Sequence, residues 1–306
     1  MGQKVIVIVG PTCSGKTLLG MGIATKINGE IISADSRQIY KRLNIGTAKP
    51  SKEELEKVKH HFIDILDREE EYDANSFSIQ AEKTIDHLIK ERKTPIVVGG
   101  SGLYIKALID GIVESADRDD AIREKLLSEK ENFGNEYLYK KLEEVDPESA
   151  ANMVSQNWKR VIRALEVFEL TGKPILQHHK HQESKSKFEF TQIGLKWPRD
   201  ILYENINKRV DKMINDGFVD EVQALLNAGY GKKLNSLNTV GYKEIISHLE
   251  GEITLERAIE LIKRNTRRYA KRQFTWFNAD DRIKWYDVSS NEEILNLVPQ
   301  LNSLRL

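Results

Sequence analysis

Residues 5–17 read Val5-Ile6-Val7-Ile8-Val9-Gly10-Pro11-Thr12-Cys13-Ser14-Gly15-Lys16-Thr17. The first five are an unbroken β-branched run, the pattern of a strand buried on both faces. The next eight complete G-x-x-x-x-G-K-[ST], and Leu18, Leu19 and Ile23 follow at a spacing that suits a helix. Strand, glycine loop and helix in that order are the context in which this motif cradles phosphates. Backbone N–H groups of the loop and the positive end of the helix hold the anion. Residues Gly10, Pro11, Thr12, Cys13, Ser14, Gly15, Lys16 and Thr17 are therefore expected to bind a di- or triphosphate, with Lys16 as a point charge and the Thr17 hydroxyl placed for Mg²⁺.

Working outward, Glu30-Ile31-Ile32-Ser33-Ala34-Asp35 reads as a second strand ending in an acid, and Thr94 to Gly100 as a third. Helical segments lie between them. Such alternation implies an α/β fold with a P-loop NTPase-like parallel sheet covered by helices. Ligands of such sheets sit beyond the carboxyl ends of the strands, which is where Gly10, Asp35 and Gly99 fall. From 111 to 187 the pattern turns helical. Ile122, Leu126 and Leu127 form one apolar stripe and Leu138, Leu142 and Val145 another; Asp146-Pro147 is a helix start, and Trp158 to Leu170 a further helix. This segment is expected to be an all-helical insertion domain, leaving 1–110 and 188–306 as the catalytic core with C-terminal basic helices. In that core Phe188 to Leu195 returns to strand, helices cover 200–215, 217–228 and 254–277, and a strand at 283–288 and a helix at 292–302 close the chain.

The 306 residues carry 47 basic and 47 acidic side chains, one cysteine and 40% apolar residues. That composition excludes a disulfide framework and a cysteine-built zinc site. No apolar run is long enough to span a membrane, and the N-terminus enters the first strand at once, so a soluble cytoplasmic protein is expected. The balanced total hides local asymmetry. Arg257, Lys263, Arg264, Arg267, Arg268, Lys271 and Arg272 crowd one segment against Glu256 and Glu260, interleaved with Tyr269, Phe274, Trp276 and Phe277. Trp158 to Arg163 forms a second basic group. Two readings remain for each: a surface for a nucleic-acid backbone, or a solvated helix face over core aromatics. Read as nucleic-acid surfaces, the two groups would make a cleft gripping an anionic polymer from both sides.

Hydrolytic P-loop enzymes need an apolar strand ending in an Asp that holds Mg²⁺. Here Ile96-Val97-Val98 ends in Gly99-Gly100-Ser101-Gly102, without an acid. The available acid is Asp35, which suits a base acting on an acceptor; a turn cap is its other reading. His60-His61 are adjacent and lack a third ligand at helical spacing, which favours a structural or substrate-loop role over a metal site.

The segments GPTCSGKT (10–17), DSRQIY (35–40), NIGTAKP (44–50), HHFID (60–64), GGSGLY (99–104), KRVIRALE (159–166), GFVDEV (217–222), VGYKE (240–244) and RRYAKRQFTWF (267–277) run in one order along nearly the whole chain. In this the sequence resembles the tRNA dimethylallyltransferase (tRNA isopentenyltransferase) family. Cys13 stands where the family usually has alanine, and Ser101 where threonine is common. The end at Leu306, without a zinc-finger extension, resembles the bacterial members. The resemblance implies transfer of a dimethylallyl group from dimethylallyl diphosphate to the exocyclic amine of the adenine 3′-adjacent to the anticodon of tRNA, by a chain expected to act as a monomer. The expected catalytic set is Asp35 as general base, Lys16 and Thr17 with Mg²⁺ at the leaving diphosphate, and Ser101 at the base or a nearby phosphate; Arg209 adds charge to the diphosphate. Contacts to tRNA are expected from Asp35, Ser36, Arg37, Gln38, Ser101, Arg123, Lys159, Arg160, Val161, Ile162, Arg163, Gly241, Tyr242, Lys243, Arg267, Arg268, Lys271 and Arg272. Prenylation of a free adenine nucleotide, an ATP-using metabolite kinase, and a non-catalytic RNA-binding NTPase module are the rival readings.

Overall fold

The computed structural model describes residues 3–67, 70–111, 119–180, 186–231, 234 and 236–301. In chain order the elements are β1 (Gln3–Val9), α1 (Lys16–Ile27), β2 (Gly29–Ala34), α2 (Lys52–Lys57), β3 (His60–His61), α3 (Ala74–Lys90), β4 (Thr94–Gly99) and α4 (Gly102–Asp110). Next come α5 (Asp120–Phe133), α6 (Asn135–Val145), α7 (Pro147–Ala150), α8 (Trp158–Thr171) and α9 (Ile175–Lys180). The chain then gives β5 (Phe188–Lys196), α10 (Arg199–Asn215), α11 (Phe218–Asn227), α12 (Tyr242–Leu249), α13 (Leu255–Phe277), β6 (Lys284–Asp287) and α14 (Asn291–Leu301). Backbone contacts divide it into two compact units, Met1–Ile109 with Ser186–Leu306, and Asp110–Lys185.

The first unit is built on one sheet of order β3-β2-β4-β1-β5-β6, parallel throughout. The β-branched run of β1 is central, and Val5 to Val9 are at most 1% exposed. Side chains alternate across a strand. Ile6 and Ile8 of β1, Ile31 of β2, Ile96 and Val98 of β4, and Ile193 and Leu195 of β5 therefore share a face, which Leu19 and Ile23 of α1 and Ile294, Leu297 and Val298 of α14 cover. Helix α3 packs against β4. A second apolar cluster joins α10–α13 to the chain after β2: Ile39, Tyr40 and Leu43 meet Val210, Phe218, Tyr242, Ile245 and Ile262. This cluster fixes the strand-end loops against the basic helix.

Strand β4 lies between β1 and β2, so the acid at the end of β2 is two strands from the phosphate loop, with the Gly99-Gly100 turn between. The two-residue β3 and helix α12 are additions to the predicted elements.

The second unit is helical. Leu126 of α5, Leu138 and Leu142 of α6, and Val161, Ile162 and Leu165 of α8 form its core. Asp146 starts α7 as expected, its Oδ1 accepting from the Ser149 N–H at 3.0 Å, while Oδ2 accepts from the Ile175 N–H at 3.2 Å. Residues 181–185 of the polar stretch 178–187, and residue 302 of the last helix, lie outside the described residues.

Candidate functional site

The loop between β1 and α1 takes its shape from backbone at positive φ. Gly15 sits at φ 81°, where a β-carbon is strained, and Cys13 at φ 64°. Lys16 begins α1 and donates from Nζ to the Pro11 carbonyl at 2.6 Å. Burial pulls the Lys16 ammonium down to about 8; the Arg209 charge pushes the same way, and Asp35 opposes it. Arg209, on α10, reaches the loop: Nη1 donates to Thr12 Oγ1 at 3.0 Å and Nη2 to the Thr47 carbonyl at 3.4 Å.

Two cavities adjoin this loop. One, of about 250 Å³, is lined by residues Thr12 to Thr17 together with Asp35, Gln38, His60, Gly99, Gly100, Arg209, Tyr269 and Gln273. The other, of about 390 Å³, is lined by Ser36, Arg37, Gly46, Asn238, Thr239, Gly241, Lys243, Thr266 and Arg272 among others. Thr12, Asp35, Thr47, Arg209 and Tyr269 belong to both walls. A phosphate chamber and a larger, mixed polar and apolar chamber thus meet at a carboxylate, an arginine and a phenol.

Asp35 is a turn cap and a chamber wall at once. Its Oδ1 accepts from the backbone N–H groups of Arg37 at 2.8 Å and Gln38 at 3.2 Å. Both bonds fall on Oδ1, so the carboxylate is oriented, and among the described residues Oδ2 accepts no hydrogen bond. Ser101 completes the turn from the β4 side. Its Oγ accepts from the Ser36 N–H at 3.0 Å, and its own N–H donates to the Ala34 carbonyl at 3.2 Å. Ser101 therefore positions the acid's turn, and Gln38 is similarly engaged, its Nε2 donating to the carbonyls of Thr47 and Ala48.

Sequence reasoning missed three residues. Gln273 is 7% exposed and joins the phosphate loop to the β4 turn: Oε1 accepts from the Thr12 N–H at 2.8 Å and Nε2 donates to the Gly100 carbonyl at 2.9 Å. Its signal is a polar residue on the buried stripe Ile262, Ala270, Phe277 of α13. Tyr269, seen only as an interleaved aromatic, lines both chambers, and burial beside Asp35 pushes its phenol up to about 12. Glu221 accepts from three consecutive N–H groups, Asn44, Ile45 and Gly46, at 2.7–3.2 Å and from the Tyr242 hydroxyl at 2.7 Å. That carboxylate holds the loop carrying Thr47.

Three expected tRNA contacts are corrected by burial. Tyr242 and Val161 are 0% exposed and Ile162 1%. Tyr242 anchors Glu221, and the other two fill the core of the helical unit, because residues 159–163 span more than one helical turn and so cannot all face outward. Within that unit Arg163 and Arg123 serve a buried acid, Glu166, at 2.9 and 3.7 Å. Lys159 lies 5.5 Å from the Trp158 ring centroid, and Arg160 is exposed. On α13, Arg267 donates to Asn207 Oδ1 at 2.7 Å, whereas Arg268, Lys271 and Arg272 are exposed, with Arg272 also lining the larger chamber. Gly241 and Lys243 line the same chamber.

His61 Nε2 bonds Glu30 Oε2 at 2.7 Å, and His60 bonds the Val58 carbonyl through Nδ1. Among the described residues no group of three or more His, Cys, Asp or Glu side chains is placed to hold a metal ion. The donor set at the phosphate loop, one Thr17 hydroxyl beside space for phosphate oxygens and water, fits Mg²⁺, which takes few protein ligands and keeps substrate oxygens and waters.

A family model described as IPP transferase matches residues 38–280. The chain belongs to the IPP transferase family. Family relatives include a tRNA dimethylallyltransferase of Carboxydothermus hydrogenoformans, 47% identical over 98% of this chain and 96% of its own length. Another tRNA dimethylallyltransferase, from Oceanobacillus iheyensis, is 45% identical over 94% and 92%. The crystal structure of the full-length tRNA isopentenylpyrophosphate transferase of Bacillus halodurans shares the fold with a TM-score of 0.72 and 38% identity, covering 99% of this chain and 96% of that one. A eukaryotic dimethylallyltransferase solved acting on tRNA gives a TM-score of 0.83 at 29% identity, over 99% and 80%. Among the described residues no helix is long and apolar enough to cross a membrane.

Proposed function

We propose that this chain transfers a dimethylallyl group from dimethylallyl diphosphate to the exocyclic amine of the adenine 3′-adjacent to the anticodon of tRNA. The observation that carries the reading is Asp35 on the wall common to the phosphate chamber and the larger chamber. The donor's diphosphate lies against the phosphate loop, Lys16 and Arg209, and the adenine enters the larger chamber unstacked from its neighbours. The allylic carbon–oxygen bond breaks, the amine nitrogen bonds that carbon, its proton passes to Asp35 Oδ2, and diphosphate leaves. An adenine amine is a weak nucleophile because its lone pair is delocalised, so a positioned base contributes about 10²–10⁴-fold. Fixed positive charge at the leaving diphosphate supplies electrostatic stabilisation where charge develops. Thr17 would hold Mg²⁺, which when bound adds neutralising charge at the phosphates. Ser101 and Gln38 keep the acid's turn in place, and the reaction belongs to the cytoplasm, where tRNA is met.

The test is incubation with labelled dimethylallyl diphosphate and either tRNA or AMP, for the wild type and Asp35→Asn. The wild type should label tRNA and leave AMP unlabelled. The variant should lose about 10²–10⁴-fold in kcat with tRNA affinity kept. Label on AMP alone, or tighter equilibrium binding of ATP than of dimethylallyl diphosphate, would refute the assignment.

A further inference from the structure

We propose that the outward face of Trp276 is a stacking platform for one unpaired base of the RNA loop that carries the target adenine; this rests on the tRNA reading above. One stripe of α13 runs along the turn after β4. Gln273 bonds the Gly100 carbonyl at 2.9 Å, and one turn further on Trp276 meets Gly102. A β-carbon at Gly102 would lie 2.3 Å from the indole Cδ1 and Nε1, so the ring rests directly on the glycine backbone. Its inner side is thereby fixed, yet the residue is 41% exposed. Tyr269, on the same stripe, is 38% exposed and lines both chambers.

A large aromatic held at one side by a glycine and open at the rest offers π-surface on which a base can stack. The surroundings select its occupant. Arg268, Lys271 and Arg272 on the same helix are exposed, and Arg272 lies 5.8 Å from the Tyr269 ring centroid. Cationic side chains on the same helix as two exposed aromatics fit single-stranded nucleic acid, whose phosphates and bases they meet in alternation. Tyr269 and Trp276 are seven residues apart, about 10 Å along the helix. Drawing one adenine into the chamber beside Tyr269 unstacks its neighbours, and a nearby unpaired base of the same loop then falls at Trp276.

The probe is a fluorescent anticodon stem-loop RNA, prepared intact and with a single abasic site at each loop position. Its binding is measured with the wild type, Trp276→Ala, Trp276→Phe and Gly102→Ala. Trp276→Ala should weaken binding by about 5- to 150-fold, the range for one base–aromatic stack. Trp276→Phe should recover most of it, and Gly102→Ala, which displaces the indole without removing it, should copy the loss. One abasic RNA should lose the same factor against the wild type and nothing further against Trp276→Ala. Binding of dimethylallyl diphosphate should be unchanged in Trp276→Ala, and its loss would mean that the indole is structural and overturn the proposal. Unchanged RNA binding by Trp276→Ala, or a loss that adds to every abasic loss, would also overturn it. Prenyl transfer by the wild type on the same intact RNA separates the two claims. Transfer without coupling at Trp276 sinks only the platform, and no transfer sinks the tRNA reading along with it.

Discussion

Raising the pH above 8 should loosen the grip of the phosphate loop on its anion, through Lys16 alone. Burial lowers the Lys16 ammonium to about 8 in the ligand-free protein. A diphosphate in contact with it favours the charged form, so the bound-state value is higher and binding takes up a proton above pH 8. If only the ammonium form binds, the dissociation constant rises as 1 + 10^(pH − 8). That is about 2-fold at pH 8, about 10-fold at pH 9 and about 30-fold at pH 9.5, or about 1.36 kcal/mol per pH unit at the high end. Dimethylallyl diphosphate without tRNA is the suitable ligand, because its terminal phosphate, with a second pKa of about 6, finishes ionising before this range. Calorimetric titration from pH 7 to 9.5 in two buffers of different ionisation enthalpy reads both the affinity and the proton. A flat affinity with no proton uptake would refute the argument. The folding equilibrium carries the opposite sign. The unfolded chain holds its lysine proton up to about 10.5 and the folded one only to about 8, so this group's charged burial costs stability at neutral pH, and the cost fades as pH rises between the two values. Lys16→Met should accordingly stabilise the ligand-free protein by up to about 3 kcal/mol at pH 7, read as a higher melting temperature, while abolishing diphosphate binding.

Gln273→Leu leaves the Thr12 N–H and the Gly100 carbonyl without their partner. It should cost about 1–3 kcal/mol in stability, read by denaturant titration, and weaken diphosphate binding about 10-fold as the loop loses its tie to β4. Ile162→Ala, in the core of the helical unit, should destabilise that unit by about 2–5 kcal/mol. Lys159→Ala should leave stability unchanged and lower the slope of log tRNA affinity against log salt by about 1.

What the sequence exposed was whatever is local. A strand buried on both faces must be an apolar run, and a glycine loop between strand and helix carries its residues at fixed spacing, so β1, β2, β4 and the Gly10–Thr17 turn into α1 could be read directly. Helix α12 was hidden because Gly241 stands where a Ser, Thr or Asp cap would announce it, and Glu244 supplies the cap bond to the Gly241 N–H instead. Gln273 and Glu221 were hidden for a different reason. Their partners are backbone groups 261 and about 176 residues away, and backbone groups leave no mark in a sequence. The errors at Val161, Ile162 and Tyr242 came from treating contiguous matching letters as contiguous surface. Helical geometry alternates the two within a single turn.

The strand order gives Asp35 a last, separable prediction. A metal-holding acid of a P-loop hydrolase stands on an apolar strand, where it acts on the phosphate side of the reaction. Here the strand beside β1 on the β2 side is β4, which ends in Gly99-Gly100, and the acid stands one strand further out, on the wall facing the larger chamber. Placed there, it should act on the acceptor's proton and have little hold on the breaking carbon–oxygen bond. Slow release of diphosphate to water, measured without tRNA, should then be the same within about 3-fold in the wild type and Asp35→Asn, while transfer to tRNA falls by about 10²–10⁴-fold. Equal losses in both assays would place Asp35 at the leaving group, and the division of labour between the two chambers would have to be abandoned.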